Sequence, residues 1–300
     1  MSTYYPTELK QCSKILECNI PHRNVFKKND YDILECIQCE QRYSIPPTQS
    51  KTHIEKVYND EYFLGGGAGY PNYFQEKEIL ITQGRNYARL VNKYTQPGLV
   101  LDVGAACGFL LKGFELEGWE GMGIEPNQKM VSYGIEELNL NLINTPLEEL
   151  SLNEQFDLIA LIQVIGHFYD LDKALEIISH QLKNDGFLLV ESWDMESLPA
   201  KLLGKYWHEY SPPSVLRWFS KKSLISVLDQ YGFEPIKFGR PKKKISLQHA
   251  LSLLKSKQPN GLFKSILDKL QRSNLTNINI IYPPVDIFWG LFRKKRCRIS

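Results

Sequence analysis

The stretch "LVLDVGAACGFLL", residues 99–111, constrains this chain more than any other: an apolar run of strand type enters a turn of small residues and leaves it as a helix. Gly104, Ala106 and Gly108 stand at alternate positions in that turn. Beyond Pro97, short apolar runs alternate with helical patterns. Strands are expected over 99–103, 119–124, 139–143, 156–162, 186–192 and 233–239, with helices between most of them and a last strand over 286–292. This alternation predicts an α/β, doubly wound, mostly parallel sheet covered on both faces.

In such a sheet a ligand sits beyond the carboxyl ends of the strands, and a small-residue first turn lets it meet the backbone. Small residues also occur where a helix packs tightly on a sheet, so the turn alone leaves both readings open. The next strand narrows the choice. "GWEGMGIEPN" ends in Glu125, about 20 residues past the turn, where a carboxylate can accept hydrogen bonds from the vicinal hydroxyls of a ribose. Turn and acid together point to an adenosine-bearing ligand, either a dinucleotide or S-adenosylmethionine.

Over roughly residues 94–240 the chain resembles the class I S-adenosylmethionine-dependent methyltransferases, which have a Rossmann-like fold with an antiparallel last strand. "LVLDVGAACGFLLKGFELEGW" is similar to their first motif and helix, and "GMGIEPN" to the acidic end of their second strand. "QFDLIALIQVIGHFYDLDKALEIISHQLKNDGFLLVES" is similar to their fourth and fifth strands with the helix between; Ala106 replaces the central glycine. The resemblance implies that Gly104, Ala105, Ala106 and Gly108 lie against the methionine part of the cofactor. Asp102 would orient its amino group through water and Glu125, followed by Pro126, would hold the ribose. Leu147 would flank the adenine, and Ile162 and Gln163 would floor the sulfonium. Tyr73 would join the cofactor set and, with Tyr70, wall the acceptor pocket.

Residues 1–50 form a separate block closed by "SIPPTQS". Four of the six cysteines fall here, Cys12, Cys18, Cys36 and Cys39, while Cys107 and Cys297 are isolated. In a reducing compartment clustered cysteines suggest a metal before a disulfide. The expectation is a small ribbon around structural Zn(II), which can contribute on the order of 10 kcal/mol to so small a fold. His22 is an alternative ligand, and the bland alternative is a set of free buried thiols. Methyltransferases that begin with such a ribbon and continue "YNDEYF...GYPNYF" form a subgroup that the chain resembles from near residue 12 onward. It includes sugar C-methyltransferases and enzymes acting on secondary-metabolite and cell-surface precursors. The expected organisation is a ribbon over 1–50, a Tyr/Gly-rich linker and lid helix over 51–93, and a methyltransferase domain over 94–300 with an acceptor-side insertion near 194–220.

Lys and Arg total 36 against 34 Asp and Glu, so no global field draws the chain to nucleic acid. The ribbon block mixes lysines with glutamates rather than presenting a basic stripe. No signal peptide or spanning segment is read from the sequence, and a cytoplasmic protein with a small-molecule acceptor is expected. Candidate bases are His167, in "VIGHF", and the group Tyr206, His208, Glu209 and Tyr210. Val215 stands where relatives carry a histidine. The C-terminal "VDIFWGLFRKKRCR" reads either as the closing strand followed by a solvated tail over 293–298, or as a membrane-surface anchor. Two rival functions share the fold: a non-catalytic cofactor-binding subunit and a nucleic-acid methyltransferase.

Overall fold

The computed structural model describes residues 3–4, 22–44, 53, 56–64, 73–241, 244–246, 279–281 and 285–295. Fourteen strands run in chain order among them. β1 is Thr3–Tyr4, β2 His22–Lys28, β3 Tyr31–Cys36, β4 Arg42–Tyr43, β5 Leu99–Val103, β6 Glu120–Ile124 and β7 Leu142–Ile143. β8 is Phe156–Ile162, β9 Leu182–Trp193, β10 Arg217–Trp218, β11 Phe233–Gly239, β12 Lys244–Ser246, β13 Asn279–Ile281 and β14 Ile287–Lys294. The α-helices are α1 Asp60–Leu64, α2 Lys77–Val91, α3 Phe109–Glu115, α4 Gln128–Leu138, α5 Leu171–Gln181, α6 Leu198–Leu203 and α7 Lys221–Asp229.

The main sheet has seven strands in the order β11-β14-β9-β8-β5-β6-β7. From β9 to β7 neighbours are parallel, whereas β14 is antiparallel to both β9 and β11. The doubly wound, mostly parallel sheet expected from the alternating pattern is therefore present, with the antiparallel last strand that the resemblance implied, and β14 enters inside the edge strand rather than at the edge.

Period-two burial explains why both faces are dry. Val100, Leu158, Ala160 and Leu189 pack with α2 and α3 on one face, while Leu101, Ile159, Leu161, Leu188 and Val190 pack with α5 and α7 on the other. Helices α2 and α3 cross through two glycines. A methyl group at Gly84 would run into the Leu110 carbonyl, and one at Gly113 into the Ile81 carbonyl, so backbone meets backbone here.

Three expectations are corrected in detail. The strand expected over 139–143 shrinks to Leu142–Ile143, because Asn139 turns left-handed at φ 53° to end α4. Arg293 and Lys294 belong to β14 instead of a tail: Arg293 pairs with Glu234 across the sheet, and the Lys294 ammonium donates to the Ser179 and Leu182 carbonyls. The N-terminal strands are not a free-standing module. β1 to β4 continue into β10, which comes from the 194–220 insertion; Arg217 pairs with Tyr43, and the Ser44 N–H donates to the Leu216 carbonyl at 2.8 Å. Cys12, Cys18, Gly65 to Gly67, Tyr70, Cys297 and the helical expectation over 247–270 lie outside the described residues.

Replacing Gly113 with Ala forces the α2–α3 crossing apart and is expected to cost about 1–3 kcal/mol, as overpacking does. Urea unfolding measures this; an unchanged midpoint would show that the crossing is looser than described.

Candidate active site

Strand β5 delivers the chain into a turn whose backbone is left-handed at alternate residues, with φ of 68° at Gly104, 48° at Ala106 and 75° at Gly108. Left-handed geometry costs an alanine roughly 1–2 kcal/mol, so Ala106 is held there by its surroundings. Two ties do this. The Gly104 and Ala105 amides both donate to the Ile124 carbonyl, at 2.9 and 3.0 Å. The Ala106 amide donates to Glu125 Oε2 at 3.0 Å, and the other oxygen of Glu125 accepts from the Asn127 amide at 2.9 Å.

The bareness of the turn serves the protein's own packing as well as any ligand. A side chain at Gly104 would strike a Val164 methyl, and one at Gly108 would strike Leu140. The packing reading of the small residues is therefore met within the chain itself.

Asp102 lies at the end of β5 and is 1% exposed, with one carboxylate oxygen lacking a hydrogen-bond partner. Burial, reinforced by the Glu125 charge, pushes its carboxyl up to about 7. Burial likewise pushes Glu125 up to about 7, against the two amides that favour its ionised form. An orphaned buried oxygen beside a second carboxylate, at a turn where Gly104 is exposed, suits a ligand that brings its own amino group and hydroxyls. The chemistry of this pair fits the S-adenosylmethionine that the resemblance implied.

Gln163 ends β8 with φ 61°, and its side-chain amide donates to Glu191 Oε1 at 2.7 Å. Glu191 is fully buried and also accepts from Gln83 and from the Tyr87 hydroxyl, both on α2. Ile162 is nearly buried beside it, and Leu147 is buried in a short helical turn. Tyr73 lies parallel to Phe109, the first residue of α3, with ring centres 5.3 Å apart. Pro126 is half-buried next to Glu125.

Sequence reasoning missed a strap around α1. The Asn127 side chain caps α4 and donates to the Tyr58 carbonyl and to Asp60, at 3.1 and 3.2 Å. The Tyr58 hydroxyl donates to the Ser214 carbonyl at 2.8 Å and lies 3.1 Å from His167 Nδ1. Tyr62 sits within electrostatic reach of Glu209 and Glu125. Burial first, then those two charges, raises its phenol well above the ordinary range. His53, buried between the rings of Tyr58 and Tyr169, keeps Nε2 without a partner, and burial followed by the His167 charge lowers its pKa. The tyrosines of "YNDEYF" were the available signal; nothing marked His53.

The candidate bases separate. His167 Nδ1 is 2.7 Å from the Ser214 carbonyl, so it carries its proton there, and the ring also meets the backbone of Gln163. Burial lowers its pKa against these contacts. His208 lies between two carboxylates, Glu209 at 3.3 Å and Asp286 at 3.9 Å, with its ring edge-on to Trp193. Tyr206 and Tyr210 do not join them. Tyr206 is 70% exposed, and Tyr210 is buried with its hydroxyl accepting from Arg42 at 2.6 Å, where burial raises its pKa. Arg42 also donates to Glu35, so Tyr210 ties the N-terminal hairpin to the insertion.

At the hairpin end, Cys36 and Cys39 are buried and flank a tight turn. The Glu40 amide donates to the Cys36 carbonyl at 2.9 Å, and Glu40 is left-handed at φ 60°. His22 faces Cys36 across the strands, and its buried Nδ1 has no partner. Among the described residues no three His, Cys, Asp or Glu side chains cluster closely enough to hold a metal, so this half-site fits Zn(II) only in part.

The profile of a family described as a methyltransferase domain matches residues 75–237, the span that carries β5 to β9 and the turn. The chain belongs to this family. It carries a class I S-adenosylmethionine-dependent methyltransferase domain. A ubiquinone biosynthesis O-methyltransferase from Bradyrhizobium diazoefficiens is 26% identical over 129 residues, covering 41% of this chain and 48% of the relative. The chain thus spans about half the length of that relative. A crystal structure of the 1,6-didemethyltoxoflavin-N1-methyltransferase from Burkholderia thailandensis, with S-adenosylhomocysteine bound, has the same fold. Its TM-score is 0.54 at 13% identity, covering 91% of this chain and 100% of that one. The YcgJ protein of Bacillus subtilis superposes with a TM-score of 0.52 at 18% identity, covering 72% and 100%.

The two raised carboxyls set a pH dependence. With folded pKa values near 7, above the ordinary carboxylate range, the folded state binds the extra protons, so their contribution to stability falls as pH rises from about 4 to about 7. In ligand-free protein the double variant Asp102→Asn, Glu125→Gln is expected to lose on the order of 5 kcal/mol of that fall between pH 5 and pH 8. Urea midpoints at both pH values decide it; identical slopes in variant and wild type would contradict the burial of the pair.

Proposed function

We propose that the protein transfers a methyl group from S-adenosylmethionine to a small-molecule acceptor of the sugar, surface-polysaccharide-precursor or secondary-metabolite class. The observation that carries this reading is the orphaned Asp102 oxygen beside Glu125, under a turn whose backbone is pinned open by Ile124 and Glu125. When bound, S-adenosylmethionine supplies an electrophilic methyl group on a sulfonium. Asp102 and Glu125 hold its two ends, and the turn backbone lies along it. The acceptor approaches from the side where the insertion meets the strap, between Tyr62 and His208. There the protein's work is mainly alignment, which can be worth roughly 7–11 kcal/mol of barrier.

Where the acceptor must lose a proton, His208 is the base. Its ring is steadied by Glu209 and Asp286, which stabilise the imidazolium once the proton has moved. His167 is a positioning residue in this reading, because its Nδ1 is engaged by the Ser214 carbonyl and the Tyr58 hydroxyl. The balance of neutral and acidic side chains around His208 supports an uncharged, hydroxyl-bearing acceptor over a polyanion. The finer reading also keeps Zn(II) at Cys36 and Cys39, completed by Cys12 and Cys18 or with His22 in place of one of them, as a structural ion beneath the insertion.

Calorimetry is expected to give micromolar-range binding of S-adenosylmethionine, weakened at least about tenfold by Glu125→Ala, the loss of a charge-assisted hydrogen-bond acceptor. Undiminished binding in that variant would remove the basis of the reading. With an acceptor in hand, His208→Gln is expected to lower turnover about a hundredfold while leaving cofactor affinity intact. Metal analysis is expected to find about one zinc per chain, lost in Cys36→Ser with Cys39→Ser; a metal-free wild type rules the ion out.

A further inference from the structure

Nine large apolar side chains are exposed among the described residues, and four of them, Leu198, Leu202, Leu203 and Tyr206, fall within nine consecutive positions. They lie on and just after α6, a six-residue helix capped by Ser197 and ended by Gly204 at φ 52°. Its single buried residue is Ala200, seated with Met195 and Trp207 in the small core shared with the hairpin. The rest faces outward, with Leu198 at 69% exposure and Leu202 at 77%.

The only charged residues among 198–206 are Lys201 and Lys205, both exposed. The Lys205 ammonium lies 5.3 Å from the centre of the Tyr206 ring, and Lys28 reaches the same ring at 5.9 Å from strand β2. The neighbouring acid, Glu196, acts on Lys222 on the other side. A cluster of leucines bordered by lysines, with a tyrosine at the boundary, has the chemistry of an interfacial anchor. Its leucines enter the acyl boundary, its ammoniums stay at the phosphate level, and its aromatic ring spans the two.

We propose that α6 and the residues up to Tyr206 form a docking surface for an anionic lipid bilayer. A protein partner fits less well, because lysine is depleted from protein interfaces whereas basic residues beside exposed leucines gain from the surface potential of an anionic membrane. Arg293, Lys294 and Lys295 do not supply this surface, since they are engaged with Glu234, backbone carbonyls and Asp229. No helix among the described residues is long and apolar enough to cross a membrane, so the attachment is peripheral. The surface is two residues from His208, which opens the acceptor side toward molecules held at a membrane.

The test is co-sedimentation of the full chain with phosphatidylcholine vesicles, with and without phosphatidylglycerol. Binding is expected on the anionic vesicles and is expected to fall with added salt. Lys201→Glu with Lys205→Glu should weaken it by about tenfold or more, and Leu198→Ser with Leu202→Ser should weaken it too. Both pairs are surface changes, so binding of S-adenosylmethionine should persist and certify the fold. Absence of binding to anionic vesicles overturns the proposal, as does binding that neither pair alters. A self-associating wild type made monomeric by the leucine pair, without vesicle binding, would assign the surface to a second copy of the chain.

Discussion

The bond between the Glu125 carboxylate and the Ala106 amide is the constraint from which the rest of the site follows. Without it the β5 turn has little reason to keep an alanine in left-handed backbone, and the carboxylate would be buried for nothing. With it, one side chain joins the ends of two adjacent parallel strands, and its second oxygen holds the Asn127 amide where α4 begins. A buried carboxylate is destabilising unless its lone pairs are used. Two amides use part of that capacity, and the remainder, with the orphaned oxygen of Asp102, is what a ligand can complete.

From Asn127 the same connection runs outward. Its side chain holds the strap at Tyr58 and Asp60, Tyr58 reaches the Ser214 carbonyl, and Ser214 belongs to the insertion that carries His208. The insertion is in turn stitched to the N-terminal hairpin by β4–β10 pairing and by the Arg42–Tyr210 bond. The hairpin, the insertion and the strap are thus tied to one another and, through Asn127, to Glu125. A second buried carboxylate, Glu191, plays the matching part on the floor. It accepts from Gln83, Tyr87 and Gln163, and α2 is thereby coupled to the end of β8.

Local pattern and spacing carried the main sheet. Alternating burial in β5, β8 and β9 produces runs legible without a partner strand, and the alternate small residues at 104, 106 and 108 announce left-handed backbone because side chains are costly there. Glu125 was legible too, since its distance from the turn reflects one helix and one strand. The candidate bases were less so. Tyr206, His208, Glu209 and Tyr210 are neighbours in sequence, but the chain turns between them, sending one tyrosine to solvent and the other to Arg42. Only the histidine and the glutamate stay together.

The amino-acid sequence by itself determined the order of strands and helices, the bare turn and the acid that answers it, because each depends on periodicity or on spacing within a few tens of residues. Only the tertiary structure decided that the N-terminal hairpin finishes its sheet with a strand from the insertion, that Tyr58 and Asn127 close the strap, and that α2 reaches Glu191. The hairpin–insertion tie, the α2 contact and the strap join residues 168, 108 and 69 positions apart. No local rule encodes them, since packing geometry alone brings such distant segments within hydrogen-bonding range.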